Sequence, residues 1–145
     1  MESDLKKAYA VIRKAGLAQH TPEDRWITLR RWAFSQSPLY RDDFPAGHLM
    51  EADGEAIGFV GYSYRQFKRS GKLVPAVVLS DLAVLPKNRG VAGLALSRMC
   101  FNLFSKELNH DIIGLHQSYA AGQLWRAYGA QDIEGSHCTY SALIS

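Results

Sequence analysis

Residues 77–106 read VVLSDLAVLPKNRGVAGLALSRMCFNLFSK. The first part, Val77 to Val84, is apolar and rich in β-branched residues, the composition of a buried strand. Pro86 ends the pairing, because proline has no N–H to give to a ladder. Lys87-Asn88-Arg89-Gly90 reads as a turn. From Val91 the apolar spacing becomes helical, with Leu96, Met99, Cys100 and Leu103 on one stripe. The stretch therefore predicts a strand, a basic glycine-containing turn and a helix. A helix start approached in this way offers free backbone N–H groups and the positive end of a dipole. Such an end binds phosphate, and Arg89 adds a full charge beside it. The reading is a pyrophosphate cradle; the plainer alternative is a connection with a surface arginine. Neither G-x-x-x-x-G-K-[ST] nor G-x-G-x-x-G occurs.

The segment Leu82-Ala83-Val84-Leu85-Pro86-Lys87-Asn88-Arg89-Gly90 resembles the core motif of the GNAT N-acetyltransferase superfamily, L-x-V-x-P-x-x-R-G-x-G. Beyond Gly90 the chain departs from that pattern. It has Ala92 and Leu94 where the family has glycine and then glycine or alanine, with Gly93 and Ala95 one residue late. The segment Leu124-Trp125-Arg126-Ala127-Tyr128-Gly129-Ala130 is similar to the family's L-Y-x-x-x-G-F ending, with tryptophan at the tyrosine position. The resemblance covers roughly residues 46–144. It implies an acyl-CoA site, with acetyl-CoA as the donor. The strand main chain at Ala83 and Val84 would pair with the pantetheine arm. The amides of Arg89, Gly90, Val91, Ala92, Gly93 and Leu94 would hold the pyrophosphate. The implied fold is one mixed α/β domain over residues 1–145, a central, mostly antiparallel twisted sheet with helices on both faces.

Outward from the core stretch, the pattern agrees. Ser3 or Asp4 caps a first helix carrying Leu5, Ala8, Tyr9, Ile12 and Ala15, and Gly16 stops it. The family often begins with a strand, but the 3.6-residue period favours helix here. Thr21 caps a second helix with Pro22 at its first position. Trp26, Leu29 and Ala33 are expected to form its inner face with Ile27 and Phe34 beside it, Arg25, Arg30 and Arg31 in solvent, and both Trp26 and Trp32 at the core or its edge. Residues 38–46 read as a loop that in the family lines the acceptor pocket. His48 to Ala52 and Ala56 to Tyr64 are strands joined through Asp53-Gly54. Glycines 58 and 61 indicate a bulge or a close backbone approach. Gln66 to Lys72 reads as a basic loop before the core strand returns antiparallel. Past the long helix, Asp111 to Leu115 is a short strand, and Ser118 caps a helix carrying Ala121, Leu124, Trp125 and Tyr128 that Gly129 stops. Ile133 and then His137 to Leu143 close the chain as a hairpin around Gly135-Ser136.

The composition bounds the rest. Hydrophobic residues are 47% and charged residues 21% of 145, enough apolar surface for a packed core. The start of the chain lacks the basic and apolar regions of a signal peptide, and no apolar run approaches a membrane span. The expectation is a cytoplasmic protein with Cys100 and Cys138 as free buried thiols. A net charge of +3 permits anionic ligands without arguing for nucleic acid. The five histidines show no i, i+4 pair and no cysteine partner at zinc spacing, so no metal is expected. G-x-S-x-G is absent.

Acyl transfer from a thioester to an amine needs a neutral amine, a polarised carbonyl and an outlet for the thiolate. The family places the carbonyl on a strand N–H, here near Val84, and often a glutamate or histidine at the positions of Val78 or Ser80. Asp81 is the only acid on the strand, and alternation points it away from Ser80 unless a bulge intervenes. Asp81 and His116 are the candidate bases and Tyr128 the candidate acid. The expected activity is N-acetyl transfer to an unidentified amine, with a homodimer left open. The rival readings are a non-catalytic acyl-CoA-binding module and an acetyltransferase for charged tRNA or protein steered by Lys68, Arg69 and Lys72.

Overall fold

A computed structural model describes residues 2–114 and 119–131 of the chain. Leu115, His116, Ser118, Cys138 and the closing hairpin lie outside the described residues.

Local turn chemistry sets the frame. Helix α1 spans Glu2–Lys14. Gly16 follows it at φ 88°, a left-handed value that glycine accepts freely. Leu17 N–H donates to Ile12 O and Gly16 N–H to Arg13 O, which closes the helix end. The helix is already formed at Ser3 and Asp4, so neither is its cap. Helix α2 spans Glu23–Ser35, with Pro22 at the cap position and no side-chain cap bond. Thr21 and Pro22 thus each stand one place earlier than expected. Pro22 is extended, at φ −59° and ψ 151°, and its carbonyl accepts from Trp26 N–H.

Strands β1 (Gly47–Ala52), β2 (Glu55–Arg69) and β3 (Lys72–Val84) form an antiparallel meander, and β4 (Asp111–Gly114) pairs parallel to β3. The order in the sheet is β1-β2-β3-β4. Asp53 and Gly54 turn the first hairpin at φ 51° and 78°, and Ser70 and Gly71 turn the second at φ 48° and 82°. Two left-handed residues in succession twist as the strands do. The expected basic loop at Gln66–Lys72 is therefore a tight turn: the ladder continues to Arg69↔Lys72, and the cations are strand residues.

The two faces of the sheet are packed by different helices. On one, Phe34 of α2 lies over Gly61, where an added Cβ would come within 2.3 Å of the ring, and Ser63 Oγ donates to Ala33 O at 3.1 Å. Leu5, Ala8, Val11 and Ile12 of α1 are buried in the same core as Phe34 and Phe59. On the other face lies α3 (Arg89–Phe101), with Leu96 against Gly58. A wider π-helical turn, Asn102–Glu107, continues α3 and buries Phe104 edge-on to Tyr62, at 4.7 Å between ring centroids. The Tyr62 hydroxyl lies 2.8 Å from His48 Nδ1 and 3.2 Å from Cys100 Sγ. Burial pushes the Cys100 thiol up to about 11, so it is inert near neutral pH.

Helix α2 is turned relative to expectation. Trp26, Ile27 and Phe34 are buried, whereas Leu29 and Trp32 are exposed. Apolar residues cover a broad arc of α2, wider than the face that is buried, so their spacing does not pick that face. What picks it is the stripe Trp26, Arg30, Phe34, four residues apart, which brings Arg30 inward.

Candidate functional site

The core stretch delivers its turn to one end of the sheet. Residues Pro86–Asn88 form a single 3-10 turn, and α3 begins at Arg89, two residues before the expected Val91. No side chain caps that start among the described residues. Gly90 is helical rather than left-handed, so its backbone does not require glycine. Its value is space: a Cβ built at Gly90 or at Gly93 meets nothing within 4 Å. Val91 and Leu94 are exposed around the same turn, and Ala92 is buried. Arg89 is exposed, and its guanidinium makes one long contact of 3.4 Å to Ala15 O, a tether weak enough to release. Lys87 and Lys14 both reach the carboxylate of Glu55, at 3.2 and 3.0 Å. The start of α3 is thus an open, cationic, uncapped helix terminus of the kind that holds phosphate.

Next to it runs a strand edge that has no β4 partner among the described residues. Strand β4 pairs with β3 only from Ala76 to Leu79. From Ser80 to Val84, β3 has no partner on that side among the described residues, so its main chain can bond an extended ligand. Ala83 and Val84 lie there, on the path to the start of α3.

Where the edge opens, β3 is bulged. Phe59 pairs with Ala83 and Gly61 with Ser80, so Val60 alone faces Asp81 and Leu82. Asp81 takes φ 54°. Aspartate is among the few side chains that tolerate this left-handed value. The extra residue reverses the expected alternation and brings the Asp81 carboxylate to the α2 face. There it pairs with Arg30, whose Nη2 donates to Oδ1 at 2.7 Å and whose Nε meets Oδ2. Arg30, expected in solvent, also lies over the Trp26 ring at 5.7 Å. Ser80 Oγ beside the bulge is buried without a partner among the described residues.

The remaining candidates are dispersed. Helix α4 (Tyr119–Ala127) carries the buried Trp125. The Tyr128 ring stacks on Phe101 at 5.4 Å and 27°. Phe101 ends α3, about 18 Å from Arg89 at 1.5 Å per residue. His116 lies outside the described residues. Lys68, Arg69 and Lys72 stand at the tip of the second hairpin, roughly 40 Å along β3 from Val84 at about 3.3 Å per residue, and Arg69 is paired with Asp111 at 2.6 Å. A cavity of about 290 Å³ opens beside α1, α2 and β1, lined by Asp4, Leu5, Phe34, Tyr40, Leu49 and Phe59. Tyr40 of the 38–46 loop is thus in its wall. Among the described residues, no His, Cys, Asp or Glu cluster could hold a metal ion, and no helix is long and apolar enough to cross a membrane.

No family model and no curated protein matches the sequence. Solved structures do match. An aminoglycoside antibiotic 6'-N-acetyltransferase from Acinetobacter haemolyticus superposes over 100% of this chain and 96% of its own, with TM-score 0.72 and 18% identity. A GCN5-related N-acetyltransferase from Ralstonia eutropha gives TM-score 0.64 at 18% identity, over 99% of this chain and 94% of its own. This chain has the GNAT fold. A predicted acetyltransferase from Clostridium acetobutylicum, solved with acetyl-CoA, matches with TM-score 0.63 at 15% identity, over 97% of this chain and 86% of its own. In this GNAT fold the bulge, the open β3 edge and the start of α3 form one continuous path. At these identities the likeness is one of fold.

Proposed function

We propose that the protein is an acetyl-CoA-dependent N-acetyltransferase acting on an unidentified amine. The observation that carries this reading is the continuity of the path: a bulge, a strand edge from Ser80 to Val84 that has no partner on the β4 side among the described residues, and an uncapped cationic helix start. A diphosphate fits the space at Gly90 and Gly93, and an amide-containing arm fits the edge at Ala83 and Val84. That combination suits a long, extended ligand with a phosphate end and a string of amides, which describes acyl-CoA. The bound donor supplies a thioester.

In the proposed reaction the neutral amine attacks the acyl carbon. The C–N bond forms as the C–S bond breaks, and the proton lost by the amine ends on solvent or on the departing thiolate. A backbone N–H near Val84 stabilises charge on the acyl oxygen. The acceptor arrives from the α1–α2 face, where the bulge presents Asp81, and the 38–46 loop borders its entry. With the Asp81 carboxylate engaged by Arg30, His116 is the candidate base. Tyr128, about one helical turn beyond the family's tyrosine position at Trp125, is the candidate acid. Its stacking on Phe101 supports transfer that needs no acid from α4, because a thiol of pKa roughly 8.5 leaves readily as thiolate.

Thiol release from acetyl-CoA, measured with a panel of primary amines, tests the activity. Amine-dependent release supports it; acetyl-CoA binding without release to any amine favours the second reading, a non-catalytic acyl-CoA-binding module. That reading draws on the burial of Trp125 at the family's tyrosine position. Arg89→Ala is expected to weaken CoA by about 1–3 kcal/mol, the scale of a lost charge-assisted bond. Calorimetry on both proteins measures it, and equal affinities would remove Arg89 from the site.

A further inference from the structure

We infer that the Arg30–Asp81 ion pair is a positioning device that fixes the β3 bulge, and so aims the strand N–H groups that follow it at the acyl group. The inference rests on the acetyltransferase reading and deepens it. The pair joins two elements distant in sequence, α2 and β3, at the residue where the strand is irregular. Asp81 holds φ 54°, a conformation that aspartate tolerates at some cost and that is held here by its surroundings. Arg30 grips both carboxylate oxygens. Its guanidinium is backed by Trp26 at 5.7 Å, and Trp26 packs edge-on against Phe59 at 6.1 Å. Phe59 lies on β2, paired with Ala83 just beyond the bulge. The brace therefore closes on itself, from β3 through α2 and β2 back to β3.

The side chains of Arg30 and Asp81 are 29% and 17% exposed. This is not a surface pair that solvent renders neutral; breaking it leaves one charge partly buried and alone. A glycine at position 81 would reach the same backbone angle without a partner, but it would leave the following peptides free to reorient. Acyl transfer is sensitive to that freedom, because a displacement of about 1 Å costs up to roughly 100-fold in rate. The carboxylate is engaged by Arg30, so Asp81 acts through the backbone and not as the proton acceptor.

The test compares Arg30→Met, Asp81→Asn, the double variant and Arg30→Lys, by steady-state pH profiles and by 15N amide shifts without ligand. Arg30→Met and Asp81→Asn are expected to lower kcat by about the same factor, roughly tenfold. The double variant should be no worse than either single one. The pH at half-maximal kcat/KM should stay where it is in the wild type. Arg30→Lys, which keeps the charge but not the fork, should recover part of the rate. The Leu82 and Ala83 amides should shift alike in Arg30→Met and Asp81→Asn. That readout needs no turnover, so it separates this inference from the activity itself. Loss of the acidic limb in Asp81→Asn but not in Arg30→Met would overturn the inference in favour of a catalytic base. Unshifted Leu82 and Ala83 amides in Arg30→Met would overturn it outright.

Discussion

Gly90→Glu is expected to remove CoA binding and leave the fold intact. Position 90 is in the first turn of α3, is not left-handed, and has open space where a Cβ would go. A glutamate there loses less backbone entropy than glycine, and its charge complements the helix dipole by about 0.3–1 kcal/mol. The melting temperature should therefore hold or rise. The same carboxylate would occupy the space proposed for the diphosphate. Like charges about 4 Å apart cost roughly 1 kcal/mol in water and about 4 kcal/mol near a protein surface. Against a doubly charged group this predicts a loss of about 100-fold or more in CoA affinity by calorimetry. A folded variant that binds CoA as the wild type does would place the phosphates elsewhere.

Gly61→Val should have the opposite signature, a large loss of stability. An ideal Cβ at Gly61 would lie 2.3 Å from Phe34 Cζ and 2.8 Å from Cε1. Phe34 is buried in the core between α2 and the sheet, so the ring cannot swing into solvent without lifting the helix. Overpacking of this kind costs about 1–3 kcal/mol. The upper end of that range corresponds to a fall of about 10 °C in Tm for a chain of this size. Thermal unfolding followed by circular dichroism measures it. Phe34 and Arg30 share a stripe on α2, so the variant should also disturb the brace at the bulge. An unchanged Tm would mean that α2 does not pack on the sheet as described.

The parts of this fold that sequence reveals are those decided by local chemistry. Asp53-Gly54 specifies its hairpin through two residues that accept positive φ. Gly16 and Gly129 stop their helices in the same way. The alternation Ile57, Phe59, Gly61 against Val60, Tyr62, Tyr64 sorts the two faces of β2 correctly, because both are buried by different helices. Other features were hidden for physical reasons. Lys68, Arg69 and Lys72 look like loop residues, yet their strands extend past the helices into solvent, where cations are at ease in a ladder. The inner face of α2 is obscured by an apolar arc wider than the face that is buried. Arg30 was legible only as the middle of the Trp26–Phe34 stripe. The bulge at Asp81 has no local signature, since aspartate at positive φ depends on a partner 51 positions away. The path proposed for acyl-CoA follows the order strand, proline, cationic turn, helix, which is legible in the sequence. The space at Gly90 and Gly93 was not, because it depends on what other elements leave open.

The central claim is that the open edge of β3 and the start of α3 form the CoA site. Titration of 15N-labelled protein with CoA, followed amide by amide, tests it most directly. The predicted result is that the largest shifts fall on Leu82 to Val84 and on Arg89 to Leu94, with little change along α1 and β1. Saturable shifts centred instead on Leu5, Tyr40 and Leu49, around the cavity beside α1, or no saturable shift at all, would contradict it.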